Sequence, residues 1–260
     1  MRAYGLFMNL LATAAISVNI LLAIGSANAE RIQLNSGDVS ELPIHVREAT
    51  KPRANIIAIV GGAGVRNKDG RSQNYLVKQA KTFAQSGITF YLFPNNDTQE
   101  KGGYSLRNSP ARTERIHSLV EIIRKRNKEP IYIVGFSRGS VDAGRFAKTH
   151  PKSIEGIVIA SGIFTNESRK ARDYTMELII GRHIEIPVLF VHHVTDACHV
   201  TPFKHAKLFF HALDAPAKEF LAYNGGGRTG RDCGPLNHHG FEGIGATVAQ
   251  DISSWILRPK

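Results

Sequence analysis

Short, continuously apolar runs rich in β-branched residues recur along this chain and alternate with amphipathic helical segments. Such runs suit strands that are covered on both faces, and strand–helix alternation is typical of a mainly parallel sheet. At 260 residues, the chain is long enough to bury this core in one domain. We therefore predict an α/β fold, with a mainly parallel central sheet and helices on both faces. The predicted strands are 42–48, 54–60, 88–93, 131–135, 154–160, 186–192 and 217–223, and the predicted helices are 73–86, 110–127, 139–149, a segment that begins at Thr201-Pro202, and 241–257.

Two polar segments interrupt this alternation. Residues 94–109 and 161–184 follow predicted strands and carry glycines and charges in place of an apolar stripe. Insertions after strands lie at the sheet edge where open α/β folds bind their ligands. Because the second insertion is short, we expect only a small lid over a site at this edge.

The N-terminal segment has the pattern of a secretion signal. Arg2 precedes an apolar run over residues 10–24, and an Ala-Asn-Ala cleavage pattern ends at Ala29. We therefore predict a cleaved signal peptide over 1–29, a single domain over 30–260, and export to the periplasm or the medium. The alternative is an uncleaved membrane anchor, which the run disfavours because it is short for a bilayer span of about 20 apolar residues.

One predicted strand runs directly into Gly135-Phe136-Ser137-Arg138-Gly139, and a predicted helix follows. A G-x-S-x-G pattern between a strand and a helix is typical of a serine nucleophile on a sharp turn. A side chain at either glycine would collide with neighbouring backbone, and the helix N-terminus favours negative charge near Ser137. We predict that Ser137 is a catalytic nucleophile. The alternative is a Gly-Ser turn that only caps the helix.

A second glycine-rich turn, Gly61-Gly62-Ala63-Gly64, ends an earlier predicted strand. In hydrolases with this kind of nucleophile, the oxyanion is bound by the backbone N–H of the residue after the serine and by an N–H from a loop after an earlier strand. Arg138 and either Gly62 or Ala63 occupy the matching positions. The alternative, a phosphate-binding loop, lacks both the G-K-[ST] ending and the G-x-G-x-x-G spacing.

The acid and the base of such a triad follow the serine in the order Asp or Glu, then His. Asp196 stands between a predicted strand and a predicted helix, where the acid belongs. Its rivals Glu185 and Asp214 lie at a strand start and a helix end. For the base we predict His239, which is followed by glycine, over His238.

The same regions are rich in potential metal ligands, which raises the alternative of a metal site. No H-x₃-H, H-E-x-x-H or C-x-x-C spacing occurs, and adjacent histidines on a strand point to opposite faces. We therefore predict no metal and no cofactor. The residues weighed as ligands are His192, His193, Asp196, Cys198, His199, His238 and His239.

The chain has two cysteines, Cys198 and Cys233. In an exported protein a lone pair of cysteines indicates a disulfide, which here would join the acid loop to the loop before His239. Chain-entropy arguments assign such a cross-link about 3–4 kcal/mol of stabilisation. The alternative, a reactive thiol, would leave Ser137 without a role.

Lysine and arginine outnumber acidic residues by 33 to 22, which gives a formal net charge of +11. The basic clusters at 124–128 and 169–172 contain no interleaved aromatic residues, so we predict no nucleic-acid partner. At most we expect weak association with an anionic envelope surface. The second cluster lies in the insertion at 161–184, near the predicted pocket mouth.

Taken in chain order, four segments resemble the α/β-hydrolase superfamily: the glycine turn, the G-x-S-x-G motif, the His-His-x-x-Asp-x-Cys segment and the Cys…His-His-Gly-Phe segment. More narrowly, residues 40–258 are similar to exported bacterial hydrolases of the dienelactone-hydrolase-like and serine-aminopeptidase-like kinds. The resemblance implies an α/β-hydrolase fold with the acid and base at Asp196 and His239. It implies no particular substrate.

These residues predict an exported serine hydrolase that cleaves an ester, thioester or amide of a small-molecule or acyl substrate through an acyl-enzyme. Ser137 would attack, His239 would carry the proton, and Asp196 would orient His239. The small lid favours acyl groups of modest size. The alternative is a non-catalytic binding protein that keeps the hydrolase scaffold.

Overall fold

The apolar runs form one sheet in the computed structural model of the chain, which describes residues 29–32, 42–95 and 104–259. The third to eighth described strands are parallel to one another, and the first two join them in antiparallel orientation at one side. The predicted mainly parallel sheet is thereby confirmed. In the spatial order β1-β2-β4-β3-β5-β6-β7-β8, the strands are β1 (Ala29–Ile32), β2 (Ile44–Arg47), β3 (Ala54–Ile59), β4 (Ile88–Leu92), β5 (Ile131–Phe136), β6 (Gly156–Ala160), β7 (Val188–His193) and β8 (Lys218–Tyr223).

Helices cover both faces of the sheet, as predicted. The described helices are α1 (Tyr75–Lys78), α2 (Ala80–Gln85), α3 (Tyr104–Arg107), α4 (Pro110–Arg126), α5 (Gly139–Thr149), α6 (Met176–Ile180), α7 (Phe203–Ala212) and α8 (Gly245–Ile256). Side chains of α3–α7 pack into one apolar layer, and those of α1, α2 and α8 pack into a second. The strands alternate between the layers: Ile57 and Ile59 of β3 contact the first, while Ile56 and Ala58 contact the second.

The parallel register brings the ends of four central strands to one sheet edge. Ile59 of β3 lies beside Gly135 of β5, which lies beside Ile159 of β6. Ala160 of β6 lies in turn beside Val191 of β7. The glycine turn and the segments that follow β5, β6 and β7 therefore meet at this edge, although they are far apart in sequence.

Several elements differ from the sequence prediction, which had no helix where α3 and α6 form. The helix predicted at 73–86 is divided into α1 and α2 because Gln79 leaves the helical conformation, with φ −96° and ψ 9°. The helix predicted at 241–257 begins only at Gly245, after positive φ angles at Phe241 and Gly243. Strand β1 was not predicted, since its residues adjoin the predicted cleavage site.

The predicted signal peptide lies outside the described residues apart from Ala29, and so do residues 96–103 of the first insertion. The second insertion folds as a 3₁₀ turn at Arg169–Ala171 followed by the short α6. Within the described ranges, no helix is long and apolar enough to span a membrane.

Candidate active site

Ser137 lies on a sharp turn between β5 and α5. Its φ is +52°, a left-handed conformation that costs a non-glycine residue about 1–2 kcal/mol. Its N–H donates to the carbonyl oxygen of Ala160, 2.9 Å away, at the end of β6. A Cβ on Gly135 would lie 2.4 Å from the Gly139 carbonyl oxygen, and one on Gly139 would lie 2.1 Å from that of Ile59. The two motif glycines thus permit the close strand–helix approach that holds Ser137 in its strained conformation.

The glycine turn after β3 lies directly against this serine. The Gly64 N–H donates to the Gly61 carbonyl over 2.9 Å, and Gly62 within the turn has φ +57°. A Cβ on Gly61 would lie 2.6 Å from the Ser137 Cβ. In the described chain, the backbone N–H groups of Gly62, Ala63 and Arg138 donate no hydrogen bond. All three predicted oxyanion donors are therefore free to bind an incoming oxygen.

The predicted acid and base are hydrogen-bonded to each other. Asp196 Oδ2 lies 2.9 Å from His239 Nδ1, and both side chains are buried. Asp196 also accepts hydrogen bonds from the Cys198 N–H (2.9 Å) and the Thr201 hydroxyl (2.8 Å). Burial would raise the pKa of Asp196, but the charge of His239 and hydrogen bonds from His192 and His239 together hold it well below its ordinary value. Asp196 is therefore a carboxylate at neutral pH.

The second ring nitrogen of His239, Nε2, is buried and has no hydrogen-bond partner among the described residues. The hydrogen bond from the Ser137 hydroxyl to this nitrogen is therefore not made in this structure. The imidazole packs against Phe136, whose ring centroid is 5.0 Å away and which directly precedes Ser137. The His239 carbonyl accepts the Ser161 hydroxyl over 2.9 Å. These contacts hold the ring next to the nucleophile turn with a free nitrogen.

The rival acids and the rival base have other surroundings. Asp214 is exposed and lies 2.8 Å from His183 Nδ1, and Glu185 is exposed at the start of the segment before β7. His238 lies 2.8 Å from the Thr195 hydroxyl, and its ring stacks on His193 at a centroid distance of 4.2 Å. Neither rival acid contacts His239 in the described structure.

Three further polar residues complete the surroundings of the acid and base. Thr201 Oγ1 lies 3.1 Å from His239 Nδ1 as well as contacting Asp196. His192 Nε2 lies 2.7 Å from the Thr201 carbonyl oxygen and 3.4 Å from Asp196 Oδ2. The third residue is Ser161, whose hydroxyl donates to the His239 carbonyl oxygen. Their positions follow from tertiary contacts: in the sequence, Thr201 was marked only as a helix start and His192 only as a possible metal ligand.

The predicted disulfide is confirmed: Cys198 and Cys233 are bonded, with Cα atoms 4.6 Å apart. It joins the loop that carries Asp196 to the loop that leads to His239. His199 Nδ1 lies 3.7 Å from the Cys233 sulfur, so these three residues cluster as metal ligands would. Both sulfurs are consumed in the disulfide, however, and cannot bind a metal as thiolates.

A buried ion cluster supports the glycine turn from behind. Asp142 of α5 accepts hydrogen bonds from Arg107 Nη1 (2.6 Å) and from Arg112 Nε, and all three side chains are at most 1% exposed. Arg107 Nη2 also donates to the carbonyl oxygens of Val60 (2.9 Å) and Gly62 (3.3 Å). The cluster therefore ties the nucleophile helix to the turn that presents the predicted oxyanion donors.

A cavity of about 470 Å³ opens beside Ser137, which makes the candidate site accessible to a small molecule. The glycine turn, the nucleophile turn, the second insertion and the disulfide each contribute to its wall. The lining residues are Gly62, Tyr104, Ser137, Arg138, Ser168, Arg169, Lys170, Cys198, His199, Val200 and Cys233.

In sequence, the chain matches no protein-family model and no curated protein. Solved structures nevertheless superpose on nearly all of it. The dienelactone hydrolase of Anabaena variabilis does so with a TM-score of 0.58 at 15% identity, covering 88% of this chain and 96% of that one. The esterase domain of a Rhodothermus marinus protein gives 0.59 at 13%, covering 89% and 98%. A soluble variant of monoglyceride lipase from Saccharomyces cerevisiae gives 0.62 at 11%, covering 88% and 94%. At these identities, what the chain shares with these proteins is their fold.

Proposed function

We propose that this chain, which has the α/β-hydrolase fold that the sequence resemblance predicted, is an exported serine hydrolase acting on an ester, thioester or amide. One observation carries the proposal. A buried Asp196–His239 pair leaves one imidazole nitrogen free, and its ring packs on Phe136 in the turn that carries a strained serine at a helix N-terminus. The N–H groups of Gly62, Ala63 and Arg138, which lie in this turn and in the glycine turn against it, are free. This combination supports acyl transfer, which needs a nucleophile, a base and an oxyanion site together.

The proposed reaction has two steps. Ser137 Oγ attacks the substrate carbonyl while His239 Nε2 takes its proton, and the oxyanion binds to the N–H groups of Arg138 and of Gly62 or Ala63. The leaving alcohol, thiol or amine takes that proton as its bond to carbon breaks. Water then attacks the acyl-serine with His239 again as the base, which releases the acid and restores the serine. The Asp196 carboxylate stabilises the imidazolium in both steps.

The Ser137–His239 hydrogen bond is absent from this structure, yet such bonds are often long before substrate binds. The same observation is what favours the alternative, a non-catalytic binding protein. The two functions differ in one measurable property, which is covalent reactivity of the serine.

A fluorophosphonate probe tests the proposal, because it phosphonylates an activated serine. We expect the full chain to be labelled and Ser137→Ala to abolish labelling. Ser168→Ala is the matched control, since Ser168 lines the same cavity and we expect this variant to react normally. Labelling that survives in Ser137→Ala would refute the assignment. A folded wild-type protein that does not react would favour the binding protein.

Export is proposed from the sequence of residues 1–29. We expect the chain expressed in a bacterial host to leave the cytoplasm and to begin at Glu30, as determined by N-terminal sequencing. Replacing Ala29 by a bulky charged residue should block processing, because signal cleavage needs a small residue at this position. An unprocessed cytoplasmic chain would contradict export.

A further inference from the structure

The cavity beside Ser137 has an uneven distribution of charge. Arg138, Arg169 and Lys170 line it, and none of its described lining residues is acidic. Small-molecule sites are predominantly apolar with a few polar groups that fix orientation. Three permanent cations around one nucleophile are more than a neutral acyl chain needs.

None of these three cations is neutralised by a carboxylate within the described part of the chain. The nearby acid Glu167 lines a separate cavity together with Arg172. Exposed arginines at other places do find acids: Arg182 lies 2.6 Å from Glu177. Arg169 and Lys170 are exposed and Arg138 is half-buried, and all three line the cavity, so their unpaired charge faces a group that enters it.

Arg138 is held in place by aromatic contacts. Its guanidinium carbon lies 4.6 Å from the ring centroid of Tyr104, which stacks on Tyr174 at 5.6 Å. Tyr104 is only 5% exposed, so this platform is rigid. A cation–π contact fixes the guanidinium through its face and leaves its in-plane N–H donors free to bind an oxyacid. Arg138 therefore combines a backbone N–H for the reacting oxygen with a side chain for a second, anionic group.

The charge behind the cavity has the same sign. Arg107 and Arg112 share the single carboxylate of Asp142, so the buried cluster keeps a net positive charge. Because its members are buried, water screens this charge weakly. The field from the interior and the cations at the mouth therefore act together on a negative substrate.

We propose that the substrate is anionic, carrying a carboxylate or a phosphate in the part that occupies this cavity, within reach of Arg138, Arg169 and Lys170. This inference rests on the proposed hydrolase function. It assigns the second basic cluster of the sequence to substrate recognition. The anionic group takes no part in bond cleavage, so the reaction is the acyl transfer described above.

Two nitrophenyl esters of matched length test the proposal: the hexanoate, which is neutral, and the hemiadipate, which ends in a carboxylate. An exposed ion pair changes an equilibrium constant by up to about fivefold, so several cations should give the hemiadipate at least about a tenfold higher kcat/KM at low salt. The preference should shrink in 0.5 M NaCl, where screening is strong. A phosphonate-terminated ester of the same length, run in parallel, identifies which anion the site prefers.

Two double variants test which cations cause the preference for the anionic ester. Arg169→Gln with Lys170→Gln should lower the hemiadipate-to-hexanoate ratio about fivefold. The control is Lys125→Gln with Lys128→Gln, which removes the same charge from exposed positions. Both lysines lie just before β5, at the sheet edge opposite Ser137, so the hemiadipate-to-hexanoate ratio should not change in this control.

The outcomes distinguish the proposal of an anionic substrate from the proposal of a hydrolase. Turnover of the hexanoate with no preference for either anionic ester, or a preference that the cavity variant leaves unchanged, would overturn the anionic substrate but would not contradict the hydrolase proposal. Absence of both turnover and probe labelling would refute the hydrolase itself. If the probe labels the serine but neither ester is turned over, competition between a ligand and the probe tests the anionic preference. Monomethyl adipate should then slow labelling more than dimethyl adipate, and equal protection would overturn the inference.

Discussion

The substitution Asp142→Asn tests the buried ion cluster most directly. The amide has nearly the same shape as the carboxylate but no charge, so Arg107 and Arg112 would stay buried without a counterion. Both arginine side chains are at most 1% exposed, and burial already lowers the pKa of Arg107 against the opposing charge of Asp142. The variant therefore isolates the cost of unpaired buried charge.

The expected loss of stability follows from the burial of the ion cluster. Removing one partner of a buried ion pair costs about 3–5 kcal/mol, and this carboxylate serves two arginines, so we expect a loss of at least about 4 kcal/mol. Domains are stable by only about 5–15 kcal/mol, and a protein of this size loses about 2–4 °C of Tm per kcal/mol. The expected decrease in Tm is therefore about 8–16 °C.

Urea unfolding followed by the fluorescence of Trp255, the single tryptophan, measures this loss. Glu219→Gln is the matched control, because it breaks an exposed pair with Arg258 and should cost less than about 1 kcal/mol. If Asp142→Asn stays within about 1 kcal/mol of the wild type, the cluster is not held by this carboxylate. We also expect Asp142→Asn to lower kcat at temperatures where it is folded, since Arg107 supports the Gly62 carbonyl.

Four further outcomes are expected. Asp196→Asn should lower kcat by about 10⁴ on any ester that is turned over, and a loss below tenfold would refute its role. The depressed pKa of Asp196 contributes stability that is present above about pH 4 and is lost as the pH falls further. The acid unfolding curves of the wild type and of Asp196→Asn should therefore converge only below about pH 4. Replacing Cys198 and Cys233 by serine should cost about 3–4 kcal/mol in urea titrations, given their separation of 35 residues, and an unchanged midpoint would contradict this. Gly139→Ala should prevent folding, because its Cβ would lie 2.1 Å from a backbone carbonyl oxygen. Gly181→Ala meets no atom within 4 Å and should cost about 1–3 kcal/mol, because its φ of 72° and ψ of −158° lie in a region that is almost exclusive to glycine.

Periodicity in the sequence was sufficient to predict the sheet. Each of the seven predicted runs contains or overlaps an observed strand. The five central strands β3–β7 are buried throughout, because a strand covered on both faces needs a continuous apolar run. β1 lacks that signal, since it is a four-residue edge strand with charged residues. The break at Gln79 was equally invisible, because neither a glycine nor a proline marks it.

Local motifs and chain order predicted the central residues of the candidate site, but not the residues that surround them. G-x-S-x-G marked Ser137, and chain order marked Asp196 and His239, whose catalytic roles stay predictions. Arg107 lies in one of the polar insertions, yet it is buried and pairs with Asp142, 35 residues away. Such a pairing depends on tertiary contacts, which a single sequence does not reveal. Thr201 was predicted to cap a helix, but its hydroxyl bonds Asp196 instead.

The disulfide also affects how the chain matures. Two cysteines allow only one intramolecular pairing, so oxidation cannot trap the protein in a mispaired isomer. The enclosed segment contains the edge strand β8, which pairs with β7, and α7, which packs on one face of the sheet. A thiol oxidase alone is therefore sufficient for maturation, and no isomerase is required to correct the product.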